Sequence, residues 1–195
     1  MPEKRLPEGL VKRLRQTSSV VNRRLGRMKS VDRRSRGVAV SLGQLMPPGQ
    51  RVREMKVSRN YPGLELVLKR AHAFPGFTGK DVARLTIIEL NKIVRLHNQQ
   101  CVPERYVLKP PYLYAVGRDL IAMAKTDSPT VNEVLFSGQR FLEKHAVTKR
   151  QLRAALKEFT KATMKSSKTS ISSHNLLVTG FKKGKFVFMP LADLF

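Results

Sequence analysis

The stretch TKRQLRAALKEFTKATMK, residues 148–165, sorts its residue types onto two faces of a single predicted helix. Thr148, followed three positions later by Gln151, is a capping-box pair that marks the start of a helix. The apolar face is predicted to point toward a core and consists of Leu152, Ala155, Leu156, Phe159 and Thr163. The opposite face carries five cations at spacings of three, four, four and four residues, here called the basic stripe: Arg150, Arg153, Lys157, Lys161 and Lys165. Only Glu158 interrupts this charge, so the pattern predicts an amphipathic helix whose outer face meets a partner of opposite charge.

The sequence on either side of this helix predicts a helix–helix–hairpin module over residues 126–195. Ser128 before Pro129 is a favourable start for the first helix. Its predicted inward positions are Val131, Val134, Leu135, Gly138, Phe141 and Leu142. Apolar runs at 176–179 and 185–189 flank a glycine-bounded segment at 180–184, which predicts a β-hairpin with a basic turn made of Lys182, Lys183 and Lys185. This order of elements is similar to that of a helix-turn-helix followed by a wing, which implies contact with a phosphate backbone and a neighbouring groove.

Residues 61–125 predict a second, helical module. A short apolar helix is expected over residues 64–73. Thr78 and Asp81 then form another capping-box pair at the start of a longer helix. On the apolar face of that helix His97 is expected to be a hydrogen-bonded core residue rather than a metal ligand. A third apolar stripe, which predicts another helix, consists of Leu113, Val116, Gly117, Leu120 and Ala124.

Residues 1–60 predict a basic, arginine-rich extension. They contain 16 Lys+Arg and 4 Asp+Glu, and the remaining 135 residues contain 22 and 10, so the extension has more than twice the charge density of the rest. Apolar residues at helical spacing between Leu10 and Met28 predict one amphipathic helix within it, ending near Ser30. We expect the extension to be ordered only on its partner. Its candidate phosphate-binding residues are Arg13, Arg15, Arg23, Arg24, Arg27, Arg33, Arg34, Arg36, Arg51 and Arg53.

The predicted fold class is mostly α with a C-terminal β-hairpin, an α+β chain made of a small helical globular part and a long basic N-terminal extension. No apolar run approaches the roughly 18 residues of a membrane-spanning helix, so no membrane partner is expected. Cys101 is the only cysteine, which excludes an internal disulfide and the paired cysteines of a zinc ribbon. The four histidines are scattered and acids are few, so we expect no enzyme activity, no metal, no cofactor and no small-molecule substrate.

The charge of the whole chain points to nucleic acid. It has 38 Lys+Arg against 14 Asp+Glu, a formal net charge of +24. Each phosphate contact of such a chain releases counterions and adds affinity that is independent of sequence. In this composition the chain resembles ribosomal proteins as a class. The resemblance implies a structural, rRNA-binding subunit that neutralises rRNA through the basic stripe, the hairpin cations and the extension, and that contacts neighbouring ribosomal proteins.

The N-terminal stretch is rich in arginine and serine and poor in acids, which is typical of a mitochondrial presequence. We therefore expect a mitochondrial ribosome, with the cytoplasm as the alternative location. Two other functions stay open from the sequence. One is a winged-helix-like DNA-binding or nucleoid protein that uses the C-terminal module. The other is an assembly factor for ribosomes or RNA processing, which would share every charge feature.

Overall fold

The computed structural model describes residues 5–16, 37–41, 65–71, 75–116, 119–124, 126 and 128–191. The chain divides into two compact units, each described below by itself. Unit 1 comprises Met1–Ile87 and Tyr112–Thr126, and unit 2 comprises Ile88–Pro111 and Asp127–Phe195. Residues 88–111, predicted as part of a middle helical module, thus belong with the C-terminal part of the chain.

The described residues contain five α-helices and seven strands. The helices are α1 (Glu8–Gln16), α2 (Gly79–Gln100), α3 (Val131–Ser137), α4 (Gln139–His145) and α5 (Lys149–Ser167). The strands are β1 (Gly37–Ser41), β2 (Glu65–Arg70), β3 (Tyr106–Leu108), β4 (Tyr114–Val116), β5 (Leu120–Ala124), β6 (Leu176–Lys182) and β7 (Lys185–Pro190).

Unit 1 is built on a four-stranded antiparallel sheet in the spatial order β1-β2-β5-β4. Strand β5 lies inside the sheet, and its first four side chains are all buried. A strand that is buried on both faces reads as a continuous apolar run, and the sequence LIAMA has that form. Helix α1 buries Leu10, Val11 and Leu14, which follow the spacing of one helical face.

Two predictions for unit 1 are wrong. The segment 64–73 is the strand β2 rather than a helix, because it is hydrogen-bonded between β1 and β5, with Leu68 opposite Val38 and Ala122. The predicted helix from Leu113 to Ala124 is the strand pair β4–β5. The extension over residues 1–60 stays a prediction; of the two elements described within it, α1 is buried along one face and β1 pairs with β2.

Unit 2 begins in the second half of α2 and continues through β3 to the helices α3, α4 and α5. The predicted capping boxes at the starts of α2 and α5 are confirmed. The backbone N–H of Thr78 donates to Asp81 Oδ2 at 2.9 Å, and that of Thr148 donates to Gln151 Oε1 at 2.8 Å. Hydroxyl-to-backbone bonds complete both boxes.

The predicted start of α3 at Ser128 is wrong by two residues. Thr130 is the N-cap, because Glu133 stands three positions on and its carboxylate accepts the Thr130 N–H at 2.7 Å. Three residues after Ser128 stands Val131, which cannot accept such a bond. Gly138 separates α3 from α4 at a close approach, where a Cβ atom would lie 2.4 Å from the Cα of Val134.

A three-stranded sheet in the order β3-β7-β6 completes unit 2. Strands β6 and β7 form the predicted C-terminal hairpin, which is confirmed, with a bulge between Val178 and Gly180. Strand β3 pairs with β7 in parallel. The α+β class is therefore correct, whereas the prediction of a mostly helical chain is wrong because both units contain a sheet.

Candidate nucleic-acid interface

Helix α5 is anchored in unit 2 by an aromatic cluster. The Phe159 ring is fully buried and meets the rings of Tyr106 and Phe188 edge-on, with centroids 5.5 and 5.7 Å away. Tyr106 in turn stacks on Phe188 at 5.4 Å. Edge-to-face and offset rings at these separations add attraction to the apolar burial. The inward face of α5 is thereby fixed, which also fixes the direction of its outward face.

His97 completes this cluster as a neutral, hydrogen-bonded core residue, as expected from the sequence. It is fully buried, and its Nε2 lies 2.6 Å from the Tyr106 hydroxyl. Burial lowers the pKa of His97, and the hydrogen bond to Asn98 opposes that shift. Burial likewise raises the pKa of Tyr106. The pair therefore stays uncharged at neutral pH and holds α2 to β3.

The basic stripe lies on the exposed side of α5. All five of its cations are exposed, and the residues opposite them, Leu152, Ala155, Phe159 and Thr163, are buried. At 3.6 residues per turn the five positions fall within an arc of about 120° and extend over about 22 Å. The predicted division of α5 into a core face and a basic face is confirmed, except that Leu156, predicted for the core face, is only half-buried.

Glu158, the one acidic residue of α5, forms its hydrogen bonds with residues outside the stripe. Glu158 Oε2 accepts Arg105 Nη1 at 3.3 Å, and its other oxygen accepts the backbone N–H of Glu104 at 2.8 Å. Within the described part of the chain, none of the five stripe cations forms an ion pair. Helix α5 holds six of the 16 Lys and Arg residues of unit 2 and one of its seven acids. The stripe is thus a concentrated positive charge with no neutralising partner in the described part of the chain.

The arrangement of the stripe is unfavourable for the isolated helix. Arg153, Lys157, Lys161 and Lys165 form three successive like-charged pairs at i,i+4, each of which costs a few tenths of a kcal/mol. The first turn contains cations and no acid, so positive side chains lie beside the partial positive charge of the helix N-terminus, which is unfavourable. Lys165 is the exception, because it lies in the last turn, where the partial negative charge of the helix C-terminus favours a cation.

The tip of the β6–β7 hairpin is a second basic feature of unit 2. Lys182 and Lys183 are exposed there, and the two-residue turn has positive φ at both Lys183 and Gly184, as a type I′ turn requires. Lys185, predicted to bind RNA with them, is instead half-buried and its Nζ donates to the carbonyl of Pro103 at 2.6 Å. The structure therefore gives this cation a partner inside the protein.

The predicted site residues of the extension divide into two groups. Arg13 and Arg15 lie on α1 in unit 1, and Arg15 Nε donates to the carbonyl of Ala115 on β4 at 3.2 Å. Arg15 therefore also links α1 to the sheet. The other eight lie outside the described residues: Arg23, Arg24, Arg27, Arg33, Arg34, Arg36, Arg51 and Arg53.

Sequence reasoning missed two contacts within unit 2: one engages the acidic residue of α5, and the other gives Lys185 a partner. Glu158 and Arg105 are 53 residues apart in the chain, and Lys185 and Pro103 are 82 apart. Such contacts depend on the packing of α5 and β7 against the loop before β3. No local spacing pattern in the sequence predicts these contacts.

In the described part of the chain, no group of three or more His, Cys, Asp or Glu side chains is placed to hold a metal ion. The described helices likewise include none that is both long and apolar enough to cross a bilayer. The chain matches no protein-family model, no curated protein and no solved structure at a significant level.

Proposed function

We propose that this protein is a structural RNA-binding subunit of a ribosome, with the mitochondrial ribosome as the expected particle. The observation that supports it best is the basic stripe, which is exposed, directed away from a rigid core and without an ion-pair partner among the described residues. A row of cations that destabilises its own helix is retained where phosphates neutralise it. rRNA supplies phosphates at high density, and neighbouring ribosomal proteins would contact the rest of this protein's surface.

A titration of RNA with a stripe variant tests the proposal. Arg153→Ala combined with Lys157→Ala removes two exposed cations and should weaken RNA binding by about tenfold or more, since each lost phosphate contact reduces the electrostatic contribution. The matched control is Lys92→Ala with Arg95→Ala, which removes the same charge from the exposed face of α2 in the same unit. Equal weakening by both variants would mean that net charge alone governs binding, and the stripe would lose its assigned role.

Co-sedimentation separates a resident subunit from an assembly factor. A resident protein should stay with a ribosomal subunit after a high-salt wash, because many buried phosphate contacts break only together. Quantitative release into the supernatant by the wash would favour the assembly factor instead.

A second candidate function, winged-helix-like DNA binding, is favoured by the order of elements in unit 2. Helix α4 is followed by the turn 146–148, then by α5, and then by a hairpin with exposed lysines at its tip. In such proteins the second helix enters the major groove of duplex DNA. Binding that is tighter to duplex DNA than to any RNA of equal length would select this candidate.

A further inference from the structure

We infer that the basic stripe binds one phosphate strand of double-stranded RNA and recognises its shape and charge without regard to base sequence. This inference rests on the proposed function, because it specifies the form of RNA that the same helix takes. Three features of α5 support this inference: the spacing of the cations, the engagement of its uncharged polar side chains within the protein, and the position of the aromatic rings.

The spacing of the cations suits a regular phosphate strand. Four residues of an α-helix advance by about 6 Å, so the cations from Arg153 to Lys165 repeat at that interval along a straight axis. Successive phosphates of one strand in an A-form duplex are separated by a similar distance. The lysine and arginine side chains lose rotamer freedom with either form of RNA. A stiff duplex strand loses little further freedom on binding, whereas a flexible single strand would lose conformational freedom to lie along the same row.

The uncharged polar side chains of α5 form hydrogen bonds within the protein. Gln151 Oε1 accepts the Thr148 N–H and hydroxyl in the capping box. The side-chain hydroxyls of the helix donate to carbonyls of their own helix, at Thr160, Thr163, Ser166 and Ser167. The outer face thus offers lysine and arginine, and three of the five stripe residues are lysines, which bind phosphate as point charges. Sequence is read by groups directed at base edges, so we expect this face to discriminate little among sequences.

The aromatic rings lie on the wrong side of α5 for single-strand binding. Proteins that bind single strands stack successive bases on exposed aromatic side chains within a basic groove. Phe159, the aromatic residue of α5, is fully buried, as are Phe186 and Phe188 on β7. The exposed Phe136 of unit 2 lies on α3, outside the stripe. The stripe therefore lacks a stacking platform in the described part of the chain.

A fluorescence-anisotropy titration of the full chain tests the inference. The probes are two RNA duplexes of equal length, one rich in G·C pairs and one rich in A·U pairs, and unstructured single strands with the same number of phosphates. We expect a dissociation constant about tenfold lower for the duplexes than for the single strands. The two duplexes should agree within about threefold, since the contacts are to the backbone. Arg150 and Arg153 are the stripe residues able to bind guanine edges, so the choice of duplexes examines that possibility directly.

The variant Lys157→Gln with Lys161→Gln should reduce the preference for duplex to about twofold or less, and Lys92→Gln with Arg95→Gln should leave it unchanged. Circular dichroism checks that both variants are folded. Equal or tighter binding of single strands, a tenfold difference between the two duplexes, or equal binding of duplex DNA at the same salt concentration would each overturn the inference. Stripe-dependent binding to single strands would still leave the proposed function in place, whereas a failure to bind any RNA would reject both.

Discussion

Phe159 and Phe136 are the same residue type in opposite environments of unit 2, which makes them a matched pair. Phe159 is 0% exposed among other rings, and Phe136 is 79% exposed. Phe159→Ala should lower the free energy of unfolding by about 3–5 kcal/mol, because it removes buried apolar surface and leaves a cavity. Phe136→Ala should change it by less than about 0.5 kcal/mol. Chemical denaturation measures both, and similar losses from the two substitutions would contradict the packing described for α5.

His97 makes the stability of the protein depend on pH. Its pKa in the folded state is lowered by burial from the ordinary value of 6.5, so the unfolded chain takes up a proton more readily than the folded one. The stabilisation is then fully present above about pH 6.5 and is lost as the pH falls toward the folded-state pKa, by at most about 1.4 kcal/mol per pH unit. The pKa of His145 is also lowered, first by partial burial and then by Lys144, which acts in the same direction.

Denaturation curves recorded between about pH 8 and pH 5 measure this dependence. His97→Asn should flatten the curve of stability against pH, at the expense of stability near neutral pH. Phe136→Ala, an exposed substitution that alters no titratable group, is the control and should leave the slope unchanged. A wild-type protein whose stability rises as the pH falls through this range would be incompatible with a neutral His97 in the core.

Individual residues were predictable where their partners are close in sequence. The capping boxes at Thr78 and Thr148 depend on residues three positions away, so a short window contains both partners. Ser128 looked like a cap because Pro129 follows it, yet the reciprocal bond of Glu133 to Thr130 decides where α3 begins. A capping residue with an acceptor three positions on is therefore the stronger signal.

The basic stripe has an effect at the level of its helix that can be measured without RNA. Lys157 stands four residues from Arg153 and from Lys161, and no charged residue stands three away, so Lys157→Glu replaces two repulsive pairs by two attractive ones. We expect α5, and with it unit 2, to gain about 1 kcal/mol, since each such pair is worth a few tenths of a kcal/mol. Thermal melting at low salt measures the gain, which added salt should reduce. A loss of stability would indicate that Lys157 has a structural partner.

The elements that were mispredicted are strands whose apolar residues also fit a helical spacing. The segment around β2 reads LELVLKRA, and its pairing with β1 and β5 decides its structure. Likewise β5 is a continuous apolar run, which periodicity alone does not distinguish from a buried helix. By contrast α2 and α5 exceed 18 residues and carry caps, so local sequence was enough to predict them.

For the molecule as a whole, the pairing of β1 predicts order in part of the region expected to be a free extension. Residues 37–41 pair with 65–69 in an antiparallel register. Hydrogen exchange on the RNA-free protein should therefore find alternate amides between residues 37 and 41 protected, because one edge of the strand is bonded to β2. Exchange there at the rate of an unfolded peptide would restore the original expectation of an extension ordered only by RNA.

The positions of the charges in the candidate interface were predictable from the sequence. Which charged side chains already have a partner inside unit 2 was not. The five stripe positions follow from the helical period and the cap of α5, both of which are local. By contrast, Glu158 accepts a hydrogen bond from Arg105, and Lys185 donates one to the carbonyl of Pro103. Both contacts join residues of unit 2 that are far apart in sequence. Which cations have a partner within the protein is thus a property of the folded unit, and counting charges along the chain does not show it.

The salt dependence of RNA binding is the most direct test of the central claim that α5 contacts phosphates. The triple variant Lys157→Gln, Lys161→Gln, Lys165→Gln should bind duplex RNA with a plot of log K against log salt that is shallower than that of the wild type by about 2 to 3. This follows because each lost duplex phosphate contact reduces the slope by about 0.9. A triple variant with the same slope as the wild type would contradict the account, since its stripe would then make no phosphate contact.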